Sequence, residues 1–120
     1  MQITQEEMEV YRRSARERVR RRQEELAGRQ QRAWEVARQS AVILKKEFGA
    51  SRVVLFGSLL HPKLFHARSD VDLAAWDVQH YFRAVARLLD LDPEIEINLA
   101  PIEDVRPELR TVIEREGVEL

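Results

Sequence analysis

Two aspartates are the residues of this sequence whose type and spacing most clearly indicate chemistry. Asp70 and Asp72 lie two residues apart at the start of a predicted strand, so their side chains point to the same face. Adjacent carboxylates repel each other unless a cation lies between them, and hard oxygen ligands suit Mg²⁺. Asp70 and Asp72 are therefore the predicted metal ligands.

A glycine–serine turn precedes this pair. Gly57 and Ser58 follow the apolar run 53–56, which predicts a buried strand that ends in a tight turn before a short helix. Backbone N–H groups at a helix N-terminus attract phosphate. Gly57 allows a close backbone approach, and the Ser58 hydroxyl adds a hydrogen-bond donor. A phosphate-binding turn beside a carboxylate pair indicates nucleotide chemistry.

The elements that must position these residues follow from hydrophobic periodicity. Short apolar runs and alternation predict strands at 53–56, 71–76, 94–100 and 118–120. Helical spacing predicts helices over 78–89 and 107–116. The expected fold class is α/β (α+β): a small mixed sheet of three to four strands packed with helices, preceded by a long N-terminal helix.

The N-terminal helix is predicted from its capping residues and its apolar spacing. Thr4 followed by Glu7 is a capping-box pattern, and Gly49 is a natural C-cap. We expect a break near Gly28, and packing on the core from Ala33, where the apolar stripe thickens.

A chain of 120 residues fits one domain. We divide it into an N-terminal helical segment, residues 1–49, and a core, residues 50–120. With no cysteine, the sequence excludes disulfides, thiolate zinc sites and a cysteine nucleophile. We expect no signal peptide and no membrane span, and therefore a cytoplasmic location.

The two motifs together resemble a known signature. Leu55-Phe56-Gly57-Ser58, an eleven-residue gap and then Asp70-Val71-Asp72-Leu73 are similar to the motif of the DNA polymerase beta-like nucleotidyltransferase superfamily. The small size points to its minimal nucleotidyltransferase (MNT) branch, and the resemblance covers roughly residues 50–120. It implies a nucleotidyltransferase fold, ATP as substrate and Mg²⁺, with two ions when ATP is bound. Gly57 and Ser58 would then hold the triphosphate.

The resemblance also implies a third catalytic carboxylate on the next strand, where this chain has Asn98. An amide oxygen ligates Mg²⁺ weakly and neither accepts a proton at neutral pH nor adds negative charge. We therefore expect nucleotide binding to survive better than catalysis. Glu96, two residues earlier on the same face, is a candidate substitute, although it lies about 6.6 Å further along the strand.

Two histidines, His61 and His66, lie in the loop between the motifs. They are candidates for contact with phosphate or acceptor. Loop histidines are more often solvated, and we favour that interpretation.

A minimal nucleotidyltransferase with a long preceding helix resembles the antitoxins of HEPN/MNT toxin–antitoxin pairs. Members of that family inactivate a HEPN toxin, a helical RNase, by transferring AMP from ATP to a tyrosine hydroxyl. The first hypothesis is therefore an antitoxin that modifies its toxin. The second is an impaired enzyme that acts by binding alone. The third is a nucleic-acid-binding module that uses its basic helix.

Charge is split between the two ends of the chain. Residues 11–32 carry nine arginines and three glutamates, net +6, while residues 90–120 carry ten acidic side chains and three arginines, net −7. The basic segment has only a thin apolar stripe, so we predict a partner surface with contacts from Arg12, Arg16, Arg20 and Arg22. Its occupant is either an acidic face of a HEPN toxin or the acidic half of a second copy in a homo-oligomer. A solvated helix without a partner is the simpler alternative.

Overall fold

The structure is a computed structural model that describes residues 2–120. Its elements, in chain order, are α1 (Gln5–Phe48), β1 (Arg52–Phe56), β2 (Val71–Trp76), α2 (Tyr81–Leu89), β3 (Ile97–Pro101), α3 (Pro107–Glu116) and β4 (Val118–Glu119). Two short 3-10 helices follow β1 and β3, at Ser58–Leu60 and Ile102–Asp104. The predicted fold class is confirmed, since a long helix precedes a mixed α/β domain with a four-stranded sheet.

α1 begins and ends at its predicted capping residues. The Thr4 hydroxyl accepts a hydrogen bond from the Glu7 backbone N–H, and the Glu7 carboxylate accepts one from the Thr4 N–H. Gly49 ends the helix at φ +71°, and its N–H donates to the Leu44 carbonyl. The predicted break at Gly28 is wrong, because the helix continues through this residue. One glycine costs a helix about 1 kcal/mol, which good helix formers on both sides offset.

Only the second half of α1 packs on the core, as predicted from residue 33. Its buried side chains are Ala33, Val36, Ala37, Ser40, Ala41, Ile43 and Leu44. Residues 5–25, hereafter the arm, contain no buried side chain. The radius of gyration is 19.5 Å and the long dimension is 66 Å, whereas a compact chain of this length has a radius of gyration of about 14 Å. The arm therefore projects from the domain. Within residues 2–120 no helix, α1 included, is long and apolar enough to cross a membrane.

The sheet positions the two motifs side by side. Its strand order is β3-β2-β1-β4, with β2 parallel to β3 and the other two pairs antiparallel. Leu55 and Leu73 belong to the main core with α1 and α2, while Val54 and Ala74 pack with Ile113 of α3. Helices therefore cover both faces, and the alternation of strand side chains divides the core into two layers.

Two elements begin later than predicted, while β1 begins one residue early and β4 ends one residue early. α2 begins at Tyr81, three residues late, because Asp77 and His80 adopt positive φ angles of 62° and 52°. β3 also begins three residues late, because the Ile95 N–H donates to the Asp92 carbonyl in a turn. β3 ends one residue later than predicted, on a proline, which an edge strand tolerates.

Candidate functional site

Three polar side chains converge where the central strands begin. Asp72 of β2 lies opposite Asn98 of β3 in the parallel register, and Asp70 immediately precedes β2. The Asn98 side-chain NH₂ donates hydrogen bonds to Asp70 Oδ2 at 3.2 Å and to Asp72 Oδ1 at 3.1 Å. The structure therefore brings the three predicted catalytic positions together in one group, hereafter the carboxylate cluster (Asp70, Asp72 and Asn98).

The glycine–serine turn contacts the same cluster. Gly57 has φ +86°, and a Cβ atom added there would lie 2.3 Å from Asp72 Oδ2. Ser58 is half-buried and begins the short 3-10 helix. The antiparallel pairing of β1 and β2 places Phe56 opposite Asp72, so the turn that follows β1 reaches the carboxylates. Two motifs that are separate in sequence therefore form one site.

Electrostatics leave the cluster with excess negative charge. Burial raises the pKa of the Asp72 carboxyl; the hydrogen bond from Asn98 lowers this pKa, and repulsion from Asp70 raises it again. One neutral amide thus faces two carboxylates. A cation bound between them would stabilise their charged forms, since an opposite charge within a few ångströms favours ionisation.

The donor set fits Mg²⁺. Asp70 and Asp72 offer carboxylate oxygens, and Asn98 offers a carbonyl oxygen once its amide turns over. Within residues 2–120 no group of three or more His, Cys, Asp or Glu side chains is placed to hold a metal ion. The third position of this cluster is an amide, so the site combines two charged oxygen ligands with one neutral ligand.

The three auxiliary residues lie outside the cluster. Glu96 is exposed in the turn before β3 and lines a cleft next to Asp70. His61 and His66 are exposed, as favoured from the sequence. The His66 Nδ1 accepts a hydrogen bond from the Arg68 backbone N–H at 3.1 Å, so this ring stabilises the loop between the motifs. Among the described residues, none of the three side chains hydrogen-bonds to the cluster.

Arg29 joins α1 to the site, a role that was not predicted from the sequence. Its guanidinium donates to the Ser69 carbonyl at 3.1 Å and to the Glu94 carbonyl at 3.0 Å. Its Nε is buried and has no hydrogen-bond partner among residues 2–120. Because Ser69 and Glu94 flank the starts of β2 and β3, Arg29 fixes both segments against the helix.

A cleft opens beside Arg29. It has a volume of about 480 Å³ and is lined by Arg29, Asp70 and Glu96, among others; it is hereafter the Arg29 cleft. In sequence Arg29 is one of nine arginines between residues 11 and 32. Its spacing of four residues before the buried Ala33 is the signal that distinguishes it, since that spacing puts both on one helix face.

The arginines predicted to contact a partner are exposed on the arm: Arg12, Arg16, Arg20 and Arg22. Arg20 is held within the helix, because it forms ion pairs with Glu17 and, at 2.7 Å, with Glu24. In the part of the chain that the structure describes, the other three form no ion pair. These three therefore keep their full capacity to contact a partner.

In comparisons with known proteins, no family model matches the chain and no curated protein matches its sequence. The fold and the site define its class by themselves. It is a mixed α/β domain in which a carboxylate pair at the start of β2 is bridged by an amide of the neighbouring strand β3, next to a glycine turn.

Proposed function

We propose that this chain is a minimal nucleotidyltransferase that binds ATP with Mg²⁺ and acts as the cytoplasmic antitoxin of a HEPN-type RNase toxin. It neutralises the toxin by transferring AMP to a tyrosine hydroxyl. The observation that carries the proposal is the contact between the two motifs, in which the Gly57 backbone packs against the Asp72 carboxylate. Either motif alone is common, whereas their contact places a phosphate-binding turn beside candidate metal ligands, as the binding of a metal–triphosphate complex needs.

Each residue of the site has a role in this proposal. Asp70 and Asp72 hold the metal, with Asn98 as the neutral third ligand. The Gly57 backbone and the Ser58 hydroxyl bind the phosphates. Bound Mg²⁺ supplies neutralisation of the phosphate charge and alignment of the reacting groups. The exclusion of a side chain at position 57 keeps space for the phosphates next to the metal ligands.

The proposed reaction is a substitution at phosphorus. The tyrosine oxygen forms a bond to the α-phosphorus of ATP, and the bond from the α-phosphorus to the oxygen that bridges it to the β-phosphate breaks. Pyrophosphate leaves, and the phenol proton passes to water, because the Asn98 amide is not a base. Positioning and charge neutralisation then account for most of the acceleration.

A second function, inhibition of the toxin by binding alone, is favoured by one observation. The Asn98 amide donates to both carboxylates, at 3.2 and 3.1 Å, and so occupies the position from which a third carboxylate would act. A chain of this kind would keep nucleotide binding and lose most of its transfer activity.

The test is co-expression of this chain with the product of its neighbouring gene, followed by intact-mass measurement of that partner. We expect a mass increase of one AMP group that requires both ATP and Mg²⁺ and that is absent with Asp70→Ala. A stable complex without any mass change would favour inhibition by binding alone over AMP transfer. No complex and no mass change would refute the antitoxin proposal.

A further inference from the structure

The arm and the Arg29 cleft belong to one continuous surface. A second cleft, of about 520 Å³, is lined by Arg22 and Leu26 at the base of the arm. It shares Arg29 and Ala67 with the Arg29 cleft, which extends to Asp70. The two clefts together, hereafter the groove, form a path from the arm to the carboxylate cluster.

An apolar stripe on the arm leads into this groove. Three apolar residues, Ala15, Leu26 and Ala37, follow one another at intervals of eleven residues, or three helical turns of about 3.67 residues, so they share one face of α1. Met8, Val19 and Ala41 are spaced by eleven and twenty-two residues and lie on the neighbouring part of that face. Ala37 and Ala41 are buried in the core, whereas Val19 is 50% exposed. The core-facing side of α1 thus extends beyond the core, where no described residue covers it.

Positive charge flanks the stripe. Arg18 and Arg22 border it, and within residues 2–120 neither forms an ion pair. Within the arm, residues 11–22 carry seven arginines and one glutamate, net +6. A second arm packed on this stripe would bring two such basic segments into contact, which opposes homotypic pairing. A nucleic acid would match the charge but would leave the apolar stripe uncovered, and Tyr11 is the only aromatic residue of the arm. An acidic amphipathic helix satisfies both features, because its apolar face covers the stripe and its carboxylates meet the arginines.

We propose that the arm and the groove bind an acidic amphipathic helix of the protein acceptor, and that the Arg29 cleft receives the side chain carrying the acceptor hydroxyl. The second half of this statement rests on the proposed function; the first half does not. The arm is about 30 Å long at 1.5 Å per residue, which matches a partner helix of similar length. The acidic flank of the acceptor would meet the second cleft, which Arg22, Arg29 and Arg32 line with Glu25. The Arg29 cleft, lined by two arginines and four acidic residues, would take only the neutral side chain that carries the hydroxyl.

The experiment uses the full chain and a defined probe. The probe is a fluorescein-labelled peptide of about 20 residues with leucines at helical spacing and glutamates beside them. Its control is the same peptide with every glutamate replaced by lysine. Fluorescence anisotropy is measured at about 0.15 M salt, so that loose charge attraction is screened.

Two matched pairs of variants locate the surface. Val19→Asp lies on the stripe, and Val10→Asp, with similar exposure, lies on the opposite face of the arm. Arg22→Glu lines the groove, and Arg13→Glu faces away from it. We expect Val19→Asp and Arg22→Glu to weaken binding of the glutamate peptide at least about tenfold, while Val10→Asp and Arg13→Glu change it less than about twofold.

Four results would overturn the proposal. The first is equal loss within each matched pair, and the second is equal binding of the lysine peptide. The third is tighter binding of an RNA hairpin than of the glutamate peptide, which would make the arm a nucleic-acid surface. The fourth is a dimer in light scattering that Val19→Asp dissociates, which would make a second copy the occupant.

Mg²⁺-ATP titration of the same variants separates this proposal from the proposed function. All four substitutions lie outside the carboxylate cluster, so ATP affinity should be unchanged. If the chain discriminates between the peptides but does not bind ATP, the nucleotidyltransferase proposal is refuted and the docking surface stands. If it binds ATP but does not discriminate between the peptides, the docking surface is refuted and the nucleotidyltransferase proposal stands.

Discussion

Gly57 and Asp72 lie so close that no side chain fits at position 57, where a Cβ atom would be 2.3 Å from Asp72 Oδ2. The two motifs are therefore coupled sterically, and the aspartate can occupy its position only because residue 57 is glycine. The positive φ of +86° at Gly57 adds a second reason, since other residues rarely adopt it.

Gly57→Ala is therefore expected to damage stability and binding together. The strained backbone should cost about 1–3 kcal/mol, and displacement of the Asp72 carboxylate should weaken Mg²⁺-ATP binding at least about tenfold. Thermal unfolding and calorimetric titration measure the two effects. Unchanged ATP affinity in the folded variant would show that the turn does not bind phosphate.

Gly28→Ala is the control, and we expect it to raise stability where Gly57→Ala lowers it. Gly28 lies in the helix interior, and a Cβ atom there would meet nothing within 4 Å. Alanine should stabilise α1 by about 0.5–1 kcal/mol, because it loses less backbone entropy than glycine. Urea denaturation measures this gain; a loss of stability would mean that the glycine has a packing role that the structure does not show.

Asp70→Ala tests the metal site. Two carboxylates facing a polyanion require a cation, so the native chain should bind ATP much more tightly with Mg²⁺ than with EDTA. In Asp70→Ala this dependence on Mg²⁺ should largely disappear. If the native chain binds ATP equally well under both conditions, the carboxylate cluster is not a metal site.

Asn98→Asp should separate stability from activity. It replaces the bridging amide by a third carboxylate, so the metal-free protein should melt at a lower temperature and gain more from added Mg²⁺. If position 98 provides the missing base, AMP transfer should rise by about 10²-fold or more. A native chain that is already active and gains nothing would assign the role to another residue, with Glu96, which lines the same cleft as Asp70, as the candidate.

The pKa of Asp72 gives a pH dependence with a defined sign. Burial raises this pKa in the folded chain above its unfolded value. The folded state therefore binds the proton more tightly, and the group's contribution to stability is present at low pH and lost as pH rises through the folded pKa. Without Mg²⁺, Asp72→Asn should raise the melting temperature at neutral pH, and the difference should shrink toward about pH 4. Asp104→Asn, on the exposed surface, is the matched control; an equal rise in both variants would contradict the assignment.

Sequence patterns predict most of this fold because its strands have strong local signals. The apolar run before Gly57 places β1 to within one residue, the largely apolar segment after Asp70 places β2, and proline and glycine delimit α3. The late start of β3 was not predicted, because residues 94–96 alternate like a strand but form a turn in which Asp92 accepts hydrogen bonds from the Glu94 and Ile95 N–H groups. The Glu94 carbonyl of this turn also accepts a hydrogen bond from Arg29, a residue far away in sequence. Single-segment periodicity carries no information about such a contact.

In the candidate site too, the residue types could be predicted from the sequence but the contacts between them could not. The residue types at positions 70, 72 and 98 are visible in the sequence, but the bridging by the Asn98 amide depends on the parallel register of β2 and β3. Gly28 shows the opposite error, because a local helix-breaking signal was overridden by the long helix around it. Local rules therefore predicted elements, whereas contacts between elements decided the site.

α1 is one unbroken helix, yet we expect the backbone amides of its two halves to exchange hydrogen by different mechanisms. Backbone amides from residue 33 onward are covered by the core, so their hydrogen exchange requires unfolding of the domain. Amides of the arm have no tertiary cover, and most of the stability of a helix in a protein comes from tertiary packing. The arm should therefore exchange rapidly by fraying from its N-terminus, and a bound partner helix would slow exchange there while leaving the rates of the core unchanged.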